Sequence, residues 1–392
     1  VTSAHSHSGS DLKEIFWIFL KLGTIAFGGP AAHIAMMEDE IVRRRQWITR
    51  EEFLDLLGAT NLIPGPNSTE LAIHLGHHRG GWPGLLIAGV AFILPAALIV
   101  TACAWAYVRF GAKPEALQLL YGIKPVIIGV VVQALWGLSK SAVKTRMLAL
   151  VAIVAAGLNF LGLNELAVLF GAGLYMLILR WVKVRSQAAE GGSVIVGGTA
   201  AMGWLSQAIA ASTASVGATA SLGGLFLFFL KVGSVLFGSG YVLLAFLRAD
   251  LVERLGWLSE SQLLDAIAVG QITPGPVFTT ATFIGYLIAG NSGALLATVG
   301  IFLPAFIFVA LSGPLIPKLR QSQWAGAFLD GLNVASLALM AVVTLQLTQS
   351  ALVDITTVIL ATVSALLLIQ FRVNSAWLVL AGGLVGLLTK MI

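Results

Sequence analysis

Long apolar runs separated by short polar interruptions dominate the chain, with no two-residue alternation inside them. Residues 83–108, 115–139, 146–161 and 164–182 form four such runs, and 293–316, 323–348, 352–370 and 375–391 form four more. Continuous apolar runs near or above about 18 residues predict spanning helices; a membrane β-barrel needs short alternating segments. Shorter pieces bounded by glycine and proline precede each set. Residues 15–27 end in Phe27-Gly28-Gly29-Pro30, and 31–42 lead into an arginine-rich loop. A helix from about 51 to 62 stops at Pro64-Gly65-Pro66, and a new segment runs to about 77. Thr49-x-x-Glu52 and Ser259-x-x-Gln262 fit the capping box that starts a helix. Pro66 suits the first position of the next helix, because proline has no N–H to leave unpaired.

The chain also repeats itself. Residues 19–66 laid on 229–276, at a constant offset of 210, agree at fifteen of 48 positions without a gap. The matches include Lys21/Lys231, Gly28/Gly238, Trp47/Trp257, Asp55/Asp265 and the whole Pro-Gly-Pro tripeptide, a combination that chance does not produce. The segments flanking the breaks have about 12 residues, roughly 18 Å of helix, too short to span alone. They read as interrupted helices or re-entrant hairpins. Broken backbone at membrane depth is tolerated only where it is buried in protein or lines a watery cavity, and paired breaks in repeats mark transporter binding sites. The expected fold is an all-α polytopic membrane protein of two homologous repeats, inverted relative to each other. Each has interrupted or re-entrant helix pairs plus about four spanning helices. The divisions are a mobile tail at 1–10, repeats at 11–185 and 221–392, and a linker at 186–220.

Composition narrows the class. Of the 392 residues, 58% are hydrophobic and 10% charged, against roughly 25% charged in soluble domains. That excludes a soluble enzyme, a disordered chain and a disulfide scaffold, and the single cysteine, Cys103, forbids an intrachain disulfide. The net charge of +5 fits basic cytoplasmic loops on a bilayer protein, with no nucleic-acid partner. Arg43, Arg44, Arg45, Lys140, Lys144 and Arg180 fall on one face, which the positive-inside rule makes cytoplasmic. No charged residue occurs from 191 to 230, and 194–212 is apolar enough to cross once and invert the second repeat. Any homodimer would be built from transmembrane faces, since little mass remains outside the bilayer.

The Pro-Gly-Pro breaks carry the candidate chemistry. A half-helix starting after each break presents free N–H groups and a positive dipole end, the chemistry for a small oxyanion. Candidate binding residues are Gly28, Gly29, Asn61, Pro64, Gly65, Pro66, Asn67 and Ser68 in the first repeat. In the second they are Gly238, Ser239, Gln271, Pro274, Gly275, Pro276 and Thr279. Lys21 and Lys231 lie in apolar runs, where an ammonium is costly and by default functional; on this reading either lysine is essential for transport but not for folding. Glu70, Asp55 and Asp265 are candidate proton carriers, with Asp55–Arg44 and Asp265–Arg254 pairs as the structural alternative. His74, His77 and His78 read as an interfacial cluster rather than a metal site, because no second carboxylate or cysteine has ligand spacing. No zinc-protease, P-loop or serine-hydrolase motif is present, so neither an enzyme nor a cofactor is expected, and transport would be driven by gradients.

Phe27-Gly28-Gly29-Pro30, the arginine-rich loop ending in Trp47, and Asn61-x-x-Pro64-Gly65-Pro66 resemble the chromate ion transporter family. So do Phe237-Gly238-Ser239-Gly240, Trp257 and Gln271-x-x-Pro274-Gly275-Pro276, so the chain resembles the long, two-domain form. The resemblance implies a multi-pass bacterial inner-membrane protein that exports chromate and confers chromate resistance, with sulfate as structural analogue and halves of opposite orientation. The second repeat departs from the first at Ser239 and Gly240 and lacks Asn67 and Glu70, so the halves need not contribute equally. An oxyanion channel, a sulfate uptake carrier and a membrane-embedded transferase using Asp55 or Glu70 remain open alternatives. If the linker crosses, a cysteine placed at Ser221 is labelled from the periplasm; labelling only from the cytoplasm excludes the crossing.

Overall fold

The computed structural model describes residues 9–27, 29–188, 221–237, 242–312 and 322–389. Residues 1–8 of the expected tail (1–10), 189–220 of the expected linker (186–220) with its crossing, and the candidates Gly28, Gly238 and Ser239 lie outside the described residues, while 9–10 and 186–188 continue the neighbouring helices. Among the described residues every regular element is helical.

The first repeat comprises α1 (Gly9–Ile25), α2 (Gly29–Met37), a π-helical turn (Glu38–Arg44), α3 (Arg50–Thr60), α4 (Asn67–Phe110), α5 (Pro114–Ala142), α6 (Arg146–Phe160) and α7 (Glu165–Ala188). The second follows the same order: α8 (Leu222–Val235), α9 (Leu243–Leu247), a π-helical turn (Arg248–Arg254), α10 (Glu260–Ile272), a 3-10 turn (Val277–Thr279), α11 (Thr280–Ser312), α12 (Gln323–Ala351), α13 (Ile355–Phe371) and α14 (Ser375–Thr389). Both expected capping boxes form, at Thr49/Glu52 and Ser259/Gln262. Pro66 stands one place earlier than expected, as the cap of α4 with extended backbone, and its carbonyl accepts from the N–H groups of Thr69 and Glu70.

At 44 residues, α4 would be roughly 66 Å long if straight, twice the hydrocarbon thickness. It folds instead at Gly80–Gly81, where Gly81 has φ 58° and ψ −148°. The short arm, 67–79, turns back on the long arm, and Gly76 abuts Gly84 and Ala88. Ala289–Gly290 does the same in α11, with Gly285 against Gly293 and Ala297. The expected short segment after each Pro-Gly-Pro break is thus one arm of a helical hairpin. Five described helices, α4, α5, α7, α11 and α12, are long and apolar enough to cross a membrane. The other expected spans, α6, α13 and α14, have 15, 17 and 15 residues.

The repeats are inverted. Lys144, just past the C-terminus of α5, pairs with Asp330 in the first third of its counterpart α12. Tyr121, near the start of α5, donates to Asp354, just past the end of α12. Equivalent helices therefore run antiparallel, which requires a pseudo-two-fold axis in the membrane plane. Packing is exchanged between repeats: α13 and α14 flank α5, while α6 and α7 flank α12. Gly122 of α5 rests on Gly382 and Gly386 of α14, and its counterpart Gly331 rests on Ala172 and Gly173 of α7. Lipid offers helices no hydrophobic drive to associate, so close approach over small residues supplies the packing.

The breaks interlock across the axis. Gly65 N–H donates to Leu236 O at 2.8 Å, and Gly275 N–H donates to Ala26 O at 3.0 Å. These are the same bond twice, since Gly65 and Ala26 match Gly275 and Leu236 at the offset of 210. Gly65 (φ 141°) and Gly275 (φ 91°) adopt backbone that a side chain strains. A Cβ on Gly275 would also lie 2.6 Å from Ala96 Cβ. Gly275→Ala is expected to cost about 1–3 kcal/mol and lower the melting temperature of the purified protein. Gly58→Ala, whose Cβ meets nothing within 4 Å, is expected not to lower it.

Candidate functional site

Where the two breaks meet, a cavity of about 690 Å³ opens between the repeats. The first repeat contributes Pro30, Ala31 and Ile34 from α2, Asn61 after α3, and Pro66, Asn67 and Ser68 at the start of α4. Gln133, Gly137 and Ser141 enter from α5, with Lys144 at the rim. Val242, Val277 and Phe278 come from the second repeat, with Asn333 and Ser336 from α12. Asn61, Gly137, Ser141 and Lys144 are exposed, so the cavity opens at the C-terminal end of α5.

Its polar wall is the N-terminus of α4. Thr69 and Glu70 N–H close on Pro66 O, while Asn67 and Ser68 occupy the first turn, whose N–H groups have no intrahelical acceptor. Asn61 donates from Nδ2 to Leu57 O and accepts from Asn67 Nδ2 at 2.8 Å. Among the described residues, Asn67 Oδ1 and Ser336 Oγ are buried without a hydrogen-bond partner. Such groups are costly unless a ligand or water meets them. The equivalent wall of the second repeat is apolar, with Val277 and Phe278 in place of Asn67 and Ser68. Thr279 is buried, its hydroxyl donating to Pro276 O.

The sequence-level candidates therefore divide. Asn61, Pro66, Asn67 and Ser68 line the cavity. Pro64, Gly65, Pro274, Gly275 and Pro276 build the crossing behind it, and both glycine N–H groups are taken by carbonyls. Gly29 starts α2 at φ 77°, and Gln271 is buried on α10. Lys21 and Lys231 stand elsewhere, each paired with an acid nineteen positions on: Lys21 with Glu40 at 3.3 Å, Lys231 with Asp250 at 2.7 Å. The lysines recur because the ion pair recurs. Arg45 foremost, then Lys21, holds the Glu40 carboxyl below the usual glutamate range.

The carboxylates divide as well. Glu70 is fully buried against Gly65, and neither carboxyl oxygen has a hydrogen-bond partner among the described residues. Asp55 is exposed on α3. Asp265 does not take Arg254, which binds Asp250 at 2.8 Å; it pairs across the repeats with Lys124 at 3.2 Å and accepts from Tyr107 at 2.8 Å. The correction has a physical cause: inversion brings α5 of one repeat beside α10 of the other, closer to Asp265 than its own loop. Arg44 is likewise held by Asp39 at 2.8 Å. Among the histidines, His74 is buried while His77 and His78 are exposed, and His77 stacks edge-on with Trp82.

Sequence reasoning missed Gln133, Ser141, Lys144, Asn333 and Ser336 in the cavity wall, and His33, whose ring meets the Ser68 hydroxyl behind it. A signal existed in α5, where Gln133, Gly137 and Ser141 recur at i, i+4 and i+8 as a polar stripe on an apolar helix. Removing Lys231 leaves Asp250, 4% exposed, short of a partner. Lys231→Ala is expected to lower the melting temperature, and Lys231→Met with Asp250→Asn to recover most of the loss. An unchanged melting temperature with lost transport would instead return the lysine to the anion.

The chromate transporter family profile matches residues 13–177 and again 223–387, one copy for each repeat. A chromate transport protein of Cupriavidus metallidurans is 34% identical, covering 98% of this chain and 95% of that protein. A probable chromate transport protein of Synechococcus elongatus is 31% identical over 92% and 90%, and a chromate transport protein of Pseudomonas aeruginosa 32% identical over 86% and 81%. No solved structure matches. With the family profile matching both repeats over most of the sequence, the chain belongs to the chromate transporter family.

Proposed function

We propose that the protein exports chromate from the cytoplasm by alternating access, with sulfate as a competing analogue, and so confers chromate resistance on a cell whose inner membrane it occupies. The cavity is the anion site in this reading. The observation that carries it is the convergence, in one pocket, of the α4 N-terminus with the amides and hydroxyls of Asn61, Asn67, Ser68, Gln133, Asn333 and Ser336. Neutral donors and a helix end suit a tetrahedral dianion, and they discriminate poorly between chromate and sulfate, which are nearly isosteric. The mouth lies beside Lys144, on the face whose arginines and lysines favour the cytoplasm. An inside-negative potential then aids expulsion by about 2.3 kcal/mol per charge per 100 mV.

Alternating access is supported by the unequal ends of the molecule. Lys124 sits on α5 nine residues, roughly 13 Å, before Gln133, toward the end opposite the mouth. There Lys124, Asp265, Tyr107 and Ser261 tie α5 and α4 to α10. Repeat symmetry puts Asn333 and Asp55 at the corresponding positions, at the open end. Exchange of the two conformations between inverted repeats would open one end as it closes the other. The second reading, a channel, is separated by kinetics.

Proteoliposomes with membrane potential and pH gradient set separately are expected to show saturable chromate flux competed by sulfate. Flux linear in concentration would favour the channel, and absence of flux with both anions would reject the reading. Asn67→Ala and Ser336→Ala are each expected to raise the half-saturating chromate concentration by roughly ten- to a hundredfold, the weight of one hydrogen bond to a charged group.

A further inference from the structure

His33 is a lone histidine in the apolar α2, and it is 1% exposed. Both ring nitrogens are engaged. Nε2 lies 3.1 Å from Ala26 O, and Nδ1 lies 3.2 Å from Ser68 Oγ. The ring edge rests on Phe92, with centroids 5.6 Å apart. Two features of this position matter. Ala26 O also accepts from Gly275 N–H, so the imidazole sits on a bond that joins the repeats. Ser68 lines the cavity at the first turn of α4.

A carbonyl oxygen only accepts, so Nε2 carries a hydrogen. In a neutral imidazole Nδ1 is then bare and must accept, and Ser68 donates its only hydroxyl proton to it. What Ser68 shows the cavity in that state is a lone pair, which repels an oxyanion. If His33 takes up a proton, Nδ1–H donates to Ser68 Oγ, and the hydroxyl proton is released to point into the cavity. The same proton sets a positive charge one residue behind the site. No bond other than these hydrogen bonds changes, and the proton comes from water.

We propose that His33 is a proton-coupled positioning residue for the anion site: its protonation turns the Ser68 hydroxyl from a donor to histidine into a donor to the bound dianion. The inference rests on the cavity being the anion site. Linkage makes the effect reciprocal, so the anion draws a proton onto His33 as strongly as the proton draws the anion. The second repeat has no such relay, because Leu243 and Phe278 occupy the positions of His33 and Ser68. The coupling is therefore at most one proton per chain through this route. Other charged groups around α2 are Lys21 from α1 and Asp39, Glu40 and Arg44 from the π-helical turn, which share a small cavity beside Ala35 and Met36. On α4 the titratable groups nearest Ser68 in the helix are Glu70 and His74.

The test uses purified full-length protein and sulfate, which stays a dianion where histidine titrates, whereas chromate itself takes up protons there. Affinity is measured by calorimetry from about pH 8 to about pH 5.5, in buffers of different ionisation enthalpy, which reports protons taken up per sulfate. Wild type is expected to bind more tightly as pH falls, by up to about tenfold per pH unit, with uptake approaching one proton. His33→Gln keeps a donor for Ala26 and is expected to bind with a flat pH profile at the weak, high-pH affinity. Ser68→Ala, which retains the histidine, is expected to flatten the profile as well, and it decides the matter should His33→Gln fail to fold. Glu70→Gln and His74→Gln are expected to keep the slope. Sulfate binding without pH dependence in wild type, or a slope that survives in Ser68→Ala, overturns the relay alone. A slope lost only in Glu70→Gln or His74→Gln overturns it in favour of that residue. No binding of sulfate or chromate at any pH overturns the anion site beneath it.

Discussion

Two backbone hydrogen bonds hold the centre of this molecule, Gly65 N–H to Leu236 O and Gly275 N–H to Ala26 O. A bilayer supplies no water to satisfy an interrupted backbone, and each orphaned polar group there costs several kcal/mol. Each repeat breaks its helices twice, once at Phe-Gly and once at Pro-Gly-Pro, and each break exposes the group that the other repeat's break lacks. The donor of one is met by the acceptor of the other. Neither repeat is complete alone at this depth, and the exchanged packing of α13 and α14 on α5, and of α6 and α7 on α12, extends the same dependence to the periphery.

A scaffold this symmetric carries an asymmetric site. Asn67 and Ser68, with His33 behind Ser68, give the first repeat a polar wall, while Val277 and Phe278, with Leu243 at the position of His33, give the second an apolar one. The polar network at the far end is unequal too. Asp265 has Lys124 and Tyr107, whereas the position matching Lys124 is Asn333. Duplicated backbone geometry is retained because the crossing bonds need it in both copies. Side chains at the crossing are free of that demand, so one copy is polar where the other is apolar.

Much of the fold was legible because local rules and membrane physics point the same way. Capping boxes at Thr49 and Ser259, the stops at Pro64 and Pro274, and the shortness of the pieces between breaks each follow from backbone hydrogen-bonding needs that a few residues express. The hairpin tips at Gly81 and Gly290 were less legible, since a glycine within an apolar run does not reveal its φ. The ion pairs were misread where partners lay far apart in the chain. Lys21–Glu40 and Lys231–Asp250 sit nineteen residues apart, and Asp265 finds Lys124 in the opposite repeat.

The sequence by itself determined the repeats, the helical class, the location of the breaks and the residues Asn61, Asn67 and Ser68 beside them. These are encoded in composition, in offset identity and in residues whose backbone preferences act locally. Only the tertiary structure decided that the lysines are held by carboxylates, that the glycine N–H groups serve the crossing, that Gln133, Asn333 and Ser336 gather at the cavity, and that His33 meets Ser68 behind its wall. The lysine pairs form within one repeat, across nineteen residues that carry no shared local period, while at the crossing and the cavity inversion juxtaposes residues separated by about two hundred positions. Which side chain then meets which is fixed by the pseudo-two-fold axis, and no local pattern records where that axis passes.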